Sequence, residues 1–242
     1  MAAQAGFDYI ELPIAKLVDL SEDEFNTVKN TINNSGIKCE AGNIFFPREL
    51  KIVGPDVDKK KITEHAKKAS ERLGALGAKA AVLGSGSSRM VPEGWSMEKA
   101  IEQFSEAAAI IGSETSRYGV VTVLEHLNKT ETNFLNSVSE ALDLARKLNL
   151  PNVQLLVDLY HMRRESEDMD IIPEAGKLLK HAHIANSHGR VYPLNSGEEP
   201  YEVFFVALKK AGYDERISIE ASTNDFENDS RNSLKFLRSL VK

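Results

Sequence analysis

Two kinds of segment alternate along the chain. Short apolar runs rich in Val, Ile, Leu and Phe occupy 7–14 (FDYIELPI), 37–46 (IKCEAGNIFF), 80–84 (AAVLG), 120–127 (VVTVLEHL), 153–160 (VQLLVDLY), 181–187 (HAHIANS) and 217–222 (ISIEAS). Near-continuous apolar runs of this length suit parallel strands buried on both faces, whereas a half-solvated strand alternates strictly. The intervening segments carry helix signals. Ser21-Glu22-Asp23-Glu24 is a capping box, with Phe25, Val28 and Ile32 on one face behind it and Gly36 as the stop. Ser137 with Glu140 repeats the box ahead of Leu144, Ala145 and Leu148, and Ile101, Phe104, Ala108 and Ile111 form a stripe at helical spacing.

Uninterrupted strand–helix alternation implies right-handed βαβ units, hence a parallel sheet covered by helices. Seven strands and seven following helices are visible. The expected fold class is α/β, a (β/α)8 TIM-barrel type lacking its first βα unit, a fold typically about 250 residues long. Ala2-Ala3-Gln4-Ala5-Gly6 reads as the last turn of a helix with its terminal glycine. The missing pair would then lie upstream, roughly 20–30 residues by average element lengths. Either the reading frame starts late or the barrel is open at one seam. No linker, charge block or composition shift divides the chain, so one domain over 1–242 is expected.

Composition narrows the function. With 42% hydrophobic and 27% charged residues in 242, the chain is neither disordered nor low-complexity. Thirty Lys+Arg against 36 Asp+Glu give a net charge of −6, with no basic stripe, which argues against a nucleic-acid partner. Cys39 is the only cysteine, so neither an internal disulfide nor a cysteine zinc cage can form. The opening MAAQAGFDYI lacks a basic region and an apolar core, and no apolar run reaches membrane-spanning length. A soluble, cytoplasmic protein without a membrane partner is expected.

Catalytic groups of such barrels sit at the C-terminal ends of strands and in the loops that follow. Four consecutive strands place ionisable residues there. Run 120–127 ends in Glu125-His126-Leu127-Asn128, run 153–160 carries Asp158 followed by His161, the next strand carries His181 and His183, and Glu220 closes ISIEAS. With Ala182, Ile184, Ile217 and Ile219 facing the helices, His181, His183, Ser218 and Glu220 face the barrel axis. Burying a carboxylate unpaired costs several kcal/mol, and a divalent cation relieves that cost for a set of carboxylates and an imidazole together. Mixed oxygen and nitrogen ligation suits Mn²⁺, Mg²⁺ or Co²⁺ better than a structural zinc site.

LEHLNKTETNFLNS (124–137), VDLYHMRRESED (157–168), HAHIANSHGR (181–190) and ISIEAS (217–222) together resemble the xylose-isomerase-like TIM barrels. Within that superfamily they are similar to the sugar epimerases of the D-tagatose/D-psicose 3-epimerase type. GSGSSRMVPEGW (84–95) is similar to a segment common in the group. The resemblance implies one divalent cation, Mn²⁺ first with Mg²⁺, Co²⁺ or Zn²⁺ as alternatives, on Glu125, Asp158, His183 and Glu220. It implies Glu125 and Glu220 as the acid/base pair for a ketose or ketose phosphate, working through a metal-stabilised enediolate. Glu131, His161 and Arg190 fall on substrate-hydroxyl contacts, and a homo-oligomer is common in the group. Three departures stand out: the first βα unit is absent, Arg190 lies one residue further from His183, and HAHIANSHGRVYP replaces the usual segment.

A hydroxypyruvate-type isomerase, an inosose-dehydratase-type lyase and a non-catalytic carbohydrate- or metal-binding barrel remain open on these motifs. An apurinic-site endonuclease would need further histidines from early strands. Here the first is His65, inside a helical stretch at 57–76, and no Asp-x-His follows His183. His181 reads as a core or supporting histidine, Asn128 as the holder of the loop with Glu131, and His161 as a loop residue. Glu11 and Glu40, in early strands, read as salt-bridging residues within the barrel, with pocket lining as the alternative. Gly84–Arg89 is either a phosphate cradle with Arg89 as its charge or a flexible loop, and Arg163 and Arg164 keep a sugar phosphate open. Trp95 is either a lid or the anchor of the next helix.

Overall fold

The computed structural model describes residues 1–241. Its strands are β1 (Tyr9–Pro13), β2 (Lys38–Asn43), β3 (Ala80–Leu83), β4 (Val121–Glu125), β5 (Val153–Asp158), β6 (Leu179–Ile184) and β7 (Ile217–Ile219). Each pairs in parallel with the next, giving the order β1-β2-β3-β4-β5-β6-β7 of a TIM barrel. Among the described residues β7 and β1 share no backbone pairing, which leaves a seam between them. An apolar cavity of about 320 Å³ fills the gap, walled by Phe7, Tyr9, Ile217, Ile219, Phe226 and Leu234.

The helices begin where their caps are. Ser21 Oγ accepts from the Glu24 N–H and the Glu24 carboxylate returns to the Ser21 N–H at 2.8 Å, opening the helix Glu22–Ser35, which stops at Gly36 with φ 76°. The Ser137 box is half formed: Ser137 Oγ accepts from the Glu140 N–H at 3.1 Å, but the Glu140 carboxylate reaches back to the Asn136 N–H. The helix Ala2–Ala5 ends at Gly6 with φ 92°, as expected of a helix terminus.

Outward-facing strand residues pack under the helices. Ala81, Leu83 and Leu124 meet Ile62, Ala66 and Leu73 of the helix Lys59–Leu76 and Phe104, Ala108 and Ile111 of the helix Met97–Ser116. Leu155, Val157, Ala182 and Ile184 meet Val138, Leu142 and Phe204. Each such large side chain contributes about 1.5–3 kcal/mol on burial. Inside the barrel Val82, Val123 and Leu156 form a small buried apolar plug. In β6 the register slips between the Leu155↔Leu179 and Leu156↔His181 pairs, leaving Lys180 as the extra residue. That slip pairs His181 with inward Leu156 and His183 with Asp158, so both imidazoles turn to the axis. No helix among the described residues is long and apolar enough to cross a membrane.

Candidate metal centre and active site

The alternation that puts Val123 in the plug puts Glu125 one step above it, at the C-terminal end of β4. Asp158 ends β5, His183 precedes the last residue of β6, and Glu220 follows β7. One ligand atom from each of these four lies within 4.8 Å of the others. His183 Nδ1 is 3.1 Å from Glu125 Oε1, 3.2 Å from Glu220 Oε2 and 4.0 Å from Asp158 Oδ2. Donors around a single cation lie at most twice a bond length apart, about 4–5 Å for metal–oxygen bonds of roughly 2.0–2.6 Å. Among the described residues the buried Asp158 Oδ2 finds no hydrogen-bond donor. Three carboxylates and an imidazole around such an orphaned oxygen fit a divalent cation of the oxygen- and nitrogen-preferring kind.

Electrostatics describe a cup short of positive charge. Burial raises the Glu125 carboxyl against the pull of His183. Asp158 is pushed up to about 7 by burial foremost, with the Glu125 and Glu220 charges adding and His183 opposing. Burial would raise Glu220 too, but His183 and Arg190 bring it below its ordinary range. Burial works against the charged His183 ring, yet Glu11 and Glu220 hold its pKa well above the usual value.

Arg190 supplies the cup's other cation. Its Nη2 is 2.5 Å from Glu220 Oε2 and 3.8 Å from Asp158 Oδ2, its Nη1 is 3.3 Å from Glu131 Oε1, and the guanidinium stacks over the Tyr160 ring. Asn128 Nδ2 donates to Glu131 Oε1 at 2.9 Å, so Asn128 does hold the loop bearing Glu131. A cavity of about 230 Å³ opens above the cup between Ile44, Phe46, Arg48, Ser85, Glu131 and Arg190. Three of these, Ile44 (φ 46°), Ser85 (φ 32°) and Arg190 (φ 51°), hold left-handed backbone conformations. Ile44 is a β-branched residue for which that region is an outlier, and its side chain is exposed.

Several expectations need correction. His161 is in a short helix (Leu159–Arg164), not a loop, and is fully buried. The Asn128 N–H donates to its Nδ1 at 3.0 Å while Nε2 faces Asp158 Oδ2 at 3.5 Å; burial first, then nearby cations, keep the ring neutral. Gly86–Arg89 forms a helical turn, and Arg89 is neither a phosphate ligand at the mouth nor part of a flexible loop. It is completely buried, donating to the Glu125 carbonyl at 2.7 Å. Arg163 is engaged by Glu199 at 2.7 Å. Trp95 packs on the core beside its helix, so it anchors that helix. Glu40 pairs with Arg216 inside the barrel, as expected.

Other site neighbours escaped the sequence reading. Asn43, at the end of β2, donates from Nδ2 to Glu220 Oε1 at 2.7 Å. The rule that C-terminal strand ends furnish the site would have found it. At Gly84 a Cβ would fall 2.0 Å from Glu125 Oε2, so this glycine makes room for the carboxylate rather than for a phosphate. Its place straight after β3 was the only signal.

Comparison with known proteins agrees with this architecture. Residues 1–240 match a family profile described as Xylose isomerase-like TIM barrel. A ketose 3-epimerase of Arthrobacter globiformis is 28% identical over 222 residues, 90% of this chain and 74% of that protein. A putative hydroxypyruvate isomerase of Streptomyces coelicolor is 27% identical, covering 93% and 84%. The crystal structure of a D-allulose 3-epimerase from Methylomonas sp. superposes with a TM-score of 0.86 at 24% identity, covering 98% of this chain and 88% of that one, a likeness of fold. The chain belongs to the xylose isomerase-like TIM barrel family.

Proposed function

We propose that this isomerase-type enzyme is a metal-dependent ketose epimerase that inverts the carbon next to the carbonyl, with Glu125 and Glu220 as its acid/base pair. The observation that carries the reading is the cup itself, three carboxylates and one imidazole on four consecutive strand ends. Relatives named ketose 3-epimerase and D-psicose 3-epimerase support the reaction class.

Glu125, Asp158, His183 and Glu220 would hold the cation, with Mn²⁺ as the expected ion and Mg²⁺, Co²⁺ or Zn²⁺ as alternatives. Bound there, such a cation would supply Lewis-acid stabilisation of the negative charge that develops when the C–H beside a carbonyl loses its proton. The protein moves that proton. Glu125 and Glu220 reach the cup from strands separated by two others, so they can address opposite faces of a small ketose. One carboxylate takes the proton from C3, the C–H electron pair passes into the sugar π-system, and the other carboxyl gives a proton back on the opposite face. The pair's summed protonation is unchanged by the turnover. Asp158 binds without titrating a substrate proton.

Arg190 and Glu131 stand at the mouth, where a donor and an acceptor side by side suit sugar hydroxyls. His161 is neutral, with its Nε2 directed toward Asp158; it would meet substrate only deep in the cup. The cavity of about 230 Å³ lies below the roughly 300–1,000 Å³ of sites for drug-sized ligands, in keeping with a monosaccharide. Arg89 is buried and Arg163 is engaged by Glu199, which puts an unphosphorylated ketose first, while the exposed Arg164 keeps a ketose phosphate as the alternative.

A second reading keeps the cup and changes the product, since the relative named putative hydroxypyruvate isomerase aligns over nearly the whole chain. Incubating the manganese-loaded protein with ketoses, ketose phosphates and hydroxypyruvate in D₂O, followed by NMR, decides between them. Deuterium at an inverted C3 is the expected result. Carbonyl migration would support the isomerase, water loss a dehydratase, and absence of exchange a binding protein.

A further inference from the structure

His183 has two ring nitrogens, and the cup can use only one. Nδ1 faces Glu125 and Glu220, while Nε2 points the other way, 3.0 Å from Glu11 Oε1. Glu11 stands on β1, across the unpaired seam. Its second oxygen lies 2.9 Å from His181 Nε2 and also accepts the Ser218 hydroxyl, to which the Tyr9 hydroxyl bonds at 2.7 Å. The Glu11 carboxylate thus faces two imidazole nitrogens and a hydroxyl, an arrangement in which its oxygens accept and each Nε2–H donates. A neutral His183 held this way carries its proton on Nε2 and turns the Nδ1 lone pair to the cup.

We infer that Glu11 is the positioning residue of the cup: by accepting the Nε2–H of His183 across the seam, it fixes the ring so that Nδ1 is the nitrogen offered to the cation. This rests on the metal reading above. It also gives the seam a second meaning. Because β1 and β7 share no backbone ladder, the contacts of Glu11 and Tyr9 with Ser218 (β7) and of Glu11 with the β6 histidines bridge the gap. One carboxylate thereby links closure of the barrel to orientation of the site. Partners that orient a metal-binding histidine typically contribute 10–100-fold in metal affinity.

The test is manganese titration of the full chain by isothermal calorimetry, in wild type, Glu11→Gln and Tyr9→Phe, with a melting curve for each. A second readout is the histidine ¹H–¹⁵N spectrum of the Mg²⁺-loaded protein. Wild type is expected to bind one ion and to show His183 as the Nε2–H tautomer. Glu11→Gln should bind about 10–100-fold more weakly. Tyr9→Phe, which touches the seam but not His183, should stay within about threefold of wild type. Wild-type binding with an unaffected Glu11→Gln overturns the positioning role alone. So does equal weakening in Tyr9→Phe, which would assign the effect to barrel closure. Two ions in wild type with one lost in Glu11→Gln would make Glu11 a ligand instead. A wild type that binds no manganese overturns the metal reading and this role with it. Should Glu11→Gln fail to fold, the wild-type tautomer decides, and an Nδ1–H ring in the Mg²⁺-loaded protein contradicts the inference.

Discussion

Arg190 and Glu220 are in direct contact, guanidinium Nη2 to carboxylate Oε2 at 2.5 Å, so a cation of the protein already occupies one side of a proposed ligand. Asp158 lies 3.8 Å from the same nitrogen. At such distances a unit positive charge disfavours a second cation by roughly 1–4 kcal/mol, depending on solvent access. Arg190→Gln should therefore bind manganese more tightly, by about fivefold or more, while KM for the ketose rises about tenfold. Calorimetry and initial rates separate the two effects. Weaker metal binding in this variant would place Arg190 among the groups that build the cup rather than those that meet the sugar.

Glu125→Gln and Glu220→Gln keep shape and remove the proton carrier. Each should lower kcat by roughly 10²–10⁴-fold, the range for a positioned acid or base. Melting temperatures should stay near that of the parent, because both carboxylates lie at strand ends outside the packed clusters. Substantial turnover in either variant would remove that residue from the acid/base pair.

Gly84→Ala tests the space around Glu125. A Cβ there would sit 2.0 Å from Glu125 Oε2, so the carboxylate has to move. We expect manganese affinity to fall at least about tenfold, with a stability loss of about 1–3 kcal/mol from overpacking. Unchanged affinity would show that Glu125 has freedom to bind from another rotamer.

Much of this site is legible in the sequence because strand periodicity is short. Once Ile217 and Ile219 face the helices, Ser218 and Glu220 must face the axis, and the same holds for His181 and His183 beside Ala182 and Ile184. Contacts that depend on the three-dimensional ring were not legible. Glu11 reads as a salt-bridging residue in β1, but its partners sit 170 to 207 positions away across the seam. Arg89 shows the limit from the other side. A Gly/Ser-rich stretch with an arginine fits either a phosphate loop or flexible linkage, and only packing reveals that the side chain turns inward to the Glu125 carbonyl. The register slip at Lys180 leaves no local signature in the sequence either.

Ile44 holds a left-handed conformation at the cavity mouth, with φ 46° and an exposed side chain. Such strain costs about 1–3 kcal/mol and persists where a site requires it. Ile44→Gly should leave stability unchanged or raise it by up to about 1 kcal/mol, since relief of strain outweighs the added freedom of the unfolded chain. If the side chain caps the bound sugar, KM rises in the same variant. A clear loss of stability by chemical denaturation would mean that Ile44 packs rather than caps.

The cup is defined by where a cation goes. The most direct measurement is anomalous diffraction at the manganese edge from crystals of the full chain grown with Mn²⁺. We predict one strong peak at bonding distance, about 2.0–2.6 Å, from oxygens of Glu125, Asp158 and Glu220 and from Nδ1 of His183. A cup that stays empty in such crystals, or a peak lying only elsewhere on the molecule, would contradict it.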